Sequence, residues 1–173
     1  MSDAANYHAV DTLRDGRKIA IRAFAPADKE ALTASLARIS AHSLYRRFFT
    51  VKRTFSDRER EFFLNVDFIN HVALMAWIED SSPPTIAGGA RYVVLQPGRA
   101  EVALLVADQY QGQGIGPALM RHLAGLARAA GLREFYAEVL PENTAMLKVF
   151  ERCGLAMTIA REPEVMHVTL RLD

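Results

Sequence analysis

Gln111-Gly112-Gln113-Gly114-Ile115-Gly116-Pro117 is the stretch on which the reading of this chain turns. It lies between an apolar run, Ala100-Glu101-Val102-Ala103-Leu104-Leu105-Val106, and a segment where Leu119, Leu123, Leu126 and Ala130 recur at helical spacing. Arg121, Gly125 and Arg128 fall off that apolar face, so the run reads as a strand and the segment as an amphipathic helix ended by Gly131. A glycine corner of this kind suits an anion. The backbone can approach closely where no β-carbon intervenes, and the first-turn amides of the helix lack an internal acceptor and sit at the positive end of its dipole. Pro117 has no amide and is preorganised for a first turn, so it starts the helix without removing a donor. A dinucleotide fingerprint would need glycine at 117, and a P-loop would need Gly-Lys-Ser/Thr beginning there. The spacing that fits is Q-x-x-G-x-G, through Gln111, Gly114 and Gly116; a tight turn alone would account for the hexamer equally well.

Upstream, residues 9–13 and 18–24 flank Asp15-Gly16 and read as a hairpin. Pro26 opens a helical pattern over 26–39 with Leu32, Leu36 and Ile39 on one face, and a second helical stretch covers 42–49. Ser56-Asp57-Arg58-Glu59 is a capping box that begins a third. Residues 72–78, 86–95 and 101–106 are rich in β-formers and form an antiparallel meander. Downstream of the glycine corner come a strand over 135–140, a helix over 143–152 and a closing strand pair over 156–161 and 165–172. The fold class is therefore α/β in the α+β sense, a mixed, mostly antiparallel sheet flanked by helices.

The chain has 173 residues, half of them apolar, with 21 basic against 20 acidic side chains. No repeat or low-complexity linker divides it, so residues 1–173 are expected to form one domain. The near-neutral balance, without a block of consecutive Lys/Arg, lacks the footprint of a nucleic-acid partner. No apolar run is long enough to span a membrane and the first ten residues do not resemble a signal peptide, so a cytoplasmic protein is expected. The histidines show no ligand spacing and no metal is expected; Cys153, the one cysteine, reads as a packed small residue.

In the order of its elements and in these motifs, the chain resembles the GNAT superfamily of N-acetyltransferases over roughly 12–172. The carriers are the strand 100–106, the Q-x-x-G-x-G corner, and Asn143 with Cys153-Gly154-Leu155 behind it. Ser43-Leu44-Tyr45-Arg46-Arg47-Phe48-Phe49, Val66-Asp67-Phe68 with His71-Val72-Ala73-Leu74, and Glu138-Val139-Leu140 with Asn143 and Met146 further resemble the catalytic domain of bacterial Pat-type protein lysine acetyltransferases.

The resemblance implies acetyl-CoA as cosubstrate. Backbone groups of Leu104, Leu105 and Val106 would hold its pantetheine arm, and amides of Gln111, Gly112, Gln113, Gly114, Ile115 and Gly116 its pyrophosphate. Asn143 would touch the cofactor or cap the next helix, or do both. The acceptor would be a primary amine, a protein lysine or a small molecule, and a homodimer is compatible with the reading. A lysine amine must lose a proton to attack, and Glu101, a carboxylate in an apolar strand, is the candidate base; Glu138 is the reserve. Many family members have a proton-donating tyrosine seven residues after the asparagine. Here that residue is Phe150, which leaves open a second reading, a module that binds CoA without turnover. Arg46, Arg47, Lys52 and Arg53 read as a solvated helix face or a greeting surface for phosphates.

Overall fold

A computed structural model describes residues 4–37 and 57–173. The elements are β1 (His8–Thr12), β2 (Lys18–Ala23), α1 (Lys29–Ala37), α2 (Asp57–Leu64), β3 (His71–Ile78), β4 (Thr85–Gln96) and β5 (Arg99–Val106), followed by α3 (Ile115–Ala129), β6 (Glu134–Val139), α4 (Thr144–Arg152), β7 (Ala156–Arg161) and β8 (Met166–Arg171). Eight strands form one sheet in the order β1-β2-β3-β4-β5-β6-β8-β7. Every neighbouring pair is antiparallel except β5 and β6. The expected mixed, mostly antiparallel sheet is therefore observed, and so is the meander, as β3-β4-β5. The expected helix over 42–49, the Ser56 cap, Ile39 and the basic cluster Arg46, Arg47, Lys52 and Arg53 lie outside the described residues.

Alternation gives the sheet two unlike faces. Ala90, Tyr92, Ala100, Val102, Leu104 and Phe135 point to one and pack with Leu119, Leu123 and Ala127 of α3 and Phe150 of α4 in the main core. On the other, Ala20, Ala73, Met75, Trp77 and Ile86 form a smaller core with Phe24 and Leu32, the latter from α1. Farther along that second face, beyond the small core, the residues become polar.

Two local details differ from the sequence reading. The helix after the glycine corner starts at Ile115, with Gly114 as its N-cap, so Pro117 is its third residue rather than its first. Proline is still tolerated there, because no first-turn amide has an intrahelical acceptor. Ala130, expected on the apolar face, is the exposed C-cap residue. Beyond it Gly131 turns left-handed at φ +85°, the Leu132 N–H donates to the Ala127 carbonyl (3.0 Å) and the Gly131 N–H to that of Arg128 (3.0 Å). This double closure satisfies two end carbonyls and lifts Ala130 off the core.

The N-terminal hairpin is tied to the back of α3. His122 Nε2 lies 2.7 Å from Asp11 Oδ2, and its Nδ1 lies 2.5 Å from the Tyr7 hydroxyl. Burial and then the charge of Asp11 push the Tyr7 phenol above its usual range.

Candidate active site

The parallel pairing of β5 with β6 is short. It covers Arg99↔Glu134, Ala100↔Phe135 and Glu101↔Tyr136, and stops there, although β5 runs on to Val106 and β6 to Val139. The two strands diverge after Glu101. On its other flank β5 stays paired with β4 up to Gly88↔Val106. The Ala107 N–H donates to the Ala87 carbonyl (2.8 Å), which continues this ladder by one residue. Because antiparallel ladders alternate bonded and non-bonded pairs, the backbone groups of Leu105 then face β4, and those of Leu104 and Val106 face the gap. All three residues line the cleft; the main-chain groups that face it are the N–H and C=O of Leu104 and the N–H of Val106, whose carbonyl is taken by Gln111, while those of Leu105 face β4.

The glycine corner closes one end of this cleft, with Gly112, Gly114, Ile115, Gly116 and Pro117 in its wall. Three glycines do two different things here. Gly112 (φ +77°) and Gly114 (φ +94°) hold left-handed conformations that side chains disfavour, with open space where a β-carbon would go. Gly116 serves packing instead: a β-carbon there would lie 3.0 Å from Val149 Cγ2 on α4. Among the described residues, the backbone amides of Gly112, Gln113, Gly114, Ile115 and Gly116 have no hydrogen-bond acceptor. Unpaired amides clustered at a helix N-terminus are a ready anion site.

The two glutamines brace this loop from within. Gln111 Nε2 donates to the Val106 carbonyl (2.9 Å) and Gln113 Nε2 to the Gln109 carbonyl (2.9 Å). An Arg17 guanidinium N–H from the β1–β2 turn donates to Gln113 Oε1. Asn143 caps α4: its Oδ1 accepts from the Met146 N–H (3.1 Å), and the side chain also lines the cleft. Sequence reasoning missed Tyr110, Met146, Lys148, Val149 and Arg152 as lining residues. The i, i+3, i+4 spacing of Ala145, Lys148, Val149 and Arg152 was the available signal for those on α4.

Glu101 stands at the vertex where the two strands part. It is exposed, opposite Val93 on β4 and Tyr136 on β6, on the sheet face away from α3 and α4 and in line with Ala103 and Leu105. Among the described residues it has no hydrogen-bond or ion-pair partner. Glu138 differs: Oε1 of its carboxylate accepts from the Tyr136 hydroxyl (3.0 Å). The phenol oxygen in turn lies 2.5 Å from His167 Nδ1, and His167 Nε2 lies 3.3 Å from Glu162. Burial, then the hydrogen bond to Glu138 and its charge, push the Tyr136 phenol up to about 12, so it stays protonated. The Arg99 guanidinium rests over its ring, 4.5 Å from the centroid.

Deeper along the same face His71 and Arg91 form a buried pair. Arg91 Nη1 donates to His71 Nε2 at 2.9 Å, and burial, followed by the Arg91 charge, pulls the His71 imidazole down to about 4. The Asp67 carboxylate fixes the approach to β3 by accepting from the amides of Ile69, Asn70 and His71, each at 2.9 Å. Phe150, by contrast, is 2% exposed in the main core and is not among the cleft's lining residues.

Comparison with known proteins gives this arrangement a context. The sequence pattern of the acetyltransferase (GNAT) family matches residues 38–155. An acetyltransferase of Pseudomonas aeruginosa is 30% identical over 158 residues, covering 91% of this chain and 84% of its own. The acetyltransferase Pat of Mycolicibacterium smegmatis is 36% identical over 148 residues, 82% of this chain, but the chain spans only 42% of that protein's length. Among solved structures, the GNAT domain of S. lividans PAT superposes with a TM-score of 0.86 at 34% identity, covering 95% of this chain and 96% of that one. At 18% identity, and so as a likeness of fold alone, yncA of Salmonella typhimurium, solved with acetyl-CoA, reaches a TM-score of 0.71 over 90% of this chain and 94% of its own. Divergent strands, a glycine corner with free amides and this extent of sequence likeness all lead to one assignment: the chain belongs to the GNAT family of acetyltransferases.

Proposed function

We propose that the protein is an acetyl-CoA-dependent N-acetyltransferase that transfers acetyl to a primary amine by direct attack on the thioester, with no covalent enzyme intermediate. The observation that carries this reading is the set of five unbonded amides from Gly112 to Gly116, at the end of a cleft whose other wall offers the open backbone groups of Leu104 and Val106. The amides fit a diphosphate, and the strand edge fits the amide-bearing pantetheine arm as an added strand.

Glu101 accepts the proton that the acceptor ammonium must lose. The neutral amine then attacks the thioester carbonyl, and the N–H of Leu104 or Val106 stabilises the growing oxyanion. The carbon–sulfur bond breaks, the acylated nitrogen gives its remaining extra proton to water, and the departing thiolate takes one from water, because Phe150 has none to give and a thiol with a pKa near 8.5 is a good leaving group. Glu138, held by Tyr136, serves the shape of the acceptor face and not as base. The likeness to Pat supports a protein lysine ahead of a small amine, and Glu101 is the carboxylate on that face without a hydrogen-bond or ion-pair partner among the described residues, free to meet a cationic acceptor. Residues 1–173 act as one domain in this reading.

The test is CoA thiol release with a panel of lysine-bearing proteins and small amines, repeated with Glu101→Gln. Acceptor-dependent release that collapses in the variant is the expected result. Tight CoA binding without turnover on any acceptor would favour the non-catalytic module instead, and unchanged turnover in the variant would remove Glu101 as base.

A further inference from the structure

Three large apolar side chains among the described residues are more than half exposed: Val10 at 55%, Ile69 at 74% and Leu95 at 52%. Val10 lies on the edge strand β1. The other two come to one end of the sheet. The Val94 N–H donates to the Asn70 carbonyl (2.8 Å), one step beyond the last β3–β4 pair, His71↔Val93, and Ile69 and Leu95 are the next residues outward on the two chains. Local structure holds both there. The Asp67 carboxylate takes the amides of Ile69, Asn70 and His71, and Phe68, a bulky residue, is kept in the left-handed region at φ +57°. Leu95 is the extra residue of a bulge, since the β4–β5 register passes from Val94↔Ala100 to Gln96↔Arg99. Apolar groups presented in this way add little to the core, and strained backbone is retained where it serves a site.

The patch adjoins the candidate base. Val93 stands opposite Glu101 across the β4–β5 ladder, and Leu95 follows two positions along the same strand, about 7 Å away at the ordinary strand rise. An extended acceptor segment advances by the same rise, so when its lysine is at Glu101 a side chain about two to four residues off comes over the patch. We propose that Ile69 and Leu95 determine acceptor specificity by receiving an apolar side chain about two to four residues from the target lysine, an inference that rests on the protein-lysine reading above. The carboxylate meets the ammonium and the patch covers the neighbouring apolar group. A short amine has nothing to place there.

The experiment measures kcat/KM for thiol release from acetyl-CoA with lysine peptides that carry leucine or serine at each nearby position on either side of the lysine, and with the short acceptor Nα-acetyl-lysine amide. The wild-type chain is compared with Ile69→Ser, Leu95→Ser and the double variant; both side chains are exposed, so the fold tolerates their loss. For the wild type, leucine at the favoured position is expected to raise kcat/KM about tenfold over serine, the gain from covering roughly half of a leucine side chain. The double variant brings that ratio toward one, chiefly through KM, and each single change moves it by less, while the short acceptor, which does not reach the patch, is turned over as before. No preference at any position, a preference that survives the double change, or an equal loss with the short acceptor would overturn the specificity role. So would a wild-type dimer, seen by sedimentation, that the double change splits, since the patch would then be covered by a second copy of this chain. Turnover of the short acceptor but of no peptide would overturn the protein-lysine reading, and no thiol release with any acceptor would overturn the transferase reading itself.

Discussion

The two flanks of β5 are made from the same residues and behave oppositely. Toward β4 the strand is bonded along its whole length; toward β6 it is bonded over three residues and then left open. The first flank contributes to stability and the second creates a place for a ligand. An open strand edge is ordinarily a liability in a sheet. Here it is walled by the glycine corner and by α4, and Gln111 occupies the Val106 carbonyl, so only a narrow guest can complete the ladder.

Changing residues on each flank separates the two roles. The largest effect is expected at the vertex: Glu101→Gln lowers turnover by about 100-fold or more while acetyl-CoA affinity holds, measured by thiol release and calorimetry side by side. Loss of binding together with turnover would place Glu101 in the ligand's own contacts.

On the bonded flank the expected effect is on stability and depends on pH. The His71 imidazole has its folded value lowered to about 4 from 6.5. The unfolded chain therefore takes up a proton near pH 6.5 that the folded chain resists until about pH 4. Stability from this group is present in full above pH 6.5 and is lost as pH falls through that window, by up to roughly 3 kcal/mol. Denaturant midpoints measured from pH 7.5 to 4 should show this slope, and His71→Gln should flatten it; an equally steep slope in the variant would assign it to other groups.

The corner glycines sharpen the contrast further. Gly116→Ala drives a methyl against Val149 and costs about 1–3 kcal/mol of stability, read from the unfolding midpoint. Gly114→Ala meets open space but a left-handed backbone, so about 1–2 kcal/mol of strain falls on the loop, and acetyl-CoA affinity drops more than the melting point does. If both substitutions affected binding and stability alike, the division of labour among these glycines would be wrong. The smallest effect is Gln111→Ala, which frees the Val106 carbonyl and removes about 1 kcal/mol of loop bracing; it is best seen as faster hydrogen exchange in the corner.

Local chemistry was legible in the sequence, and long-range geometry was not. The glycine corner, the capping role of Asn143, the hairpin at Gly16 and the β3-β4-β5 meander follow from spacing and turn residues, because each is settled within a few positions of its signal. The insertion of β8 between β6 and β7 depends on which edge a closing hairpin docks against, and no local pattern encodes that. The parting of β5 from β6 is hidden for the same reason, and with the ladder to β4 it narrows the backbone groups that face the gap from those of Leu104, Leu105 and Val106 to those of Leu104 and Val106. Tyr136 and His167 lie 31 positions apart and meet only because β6 and β8 are neighbours. Gly116 looked like its two companions, and only the position of Val149 shows that it serves helix packing.

The parting of β5 and β6 also makes the sheet a partition with a slot in it. On the proposed reading the helix-backed side takes the long thioester while Glu101 looks out from the other side, so the two reactants would reach the slot by separate doors. Neither has to wait for the other to clear a shared entrance. The fold itself thus imposes no queue, and initial-rate patterns with both concentrations varied would intersect rather than run parallel.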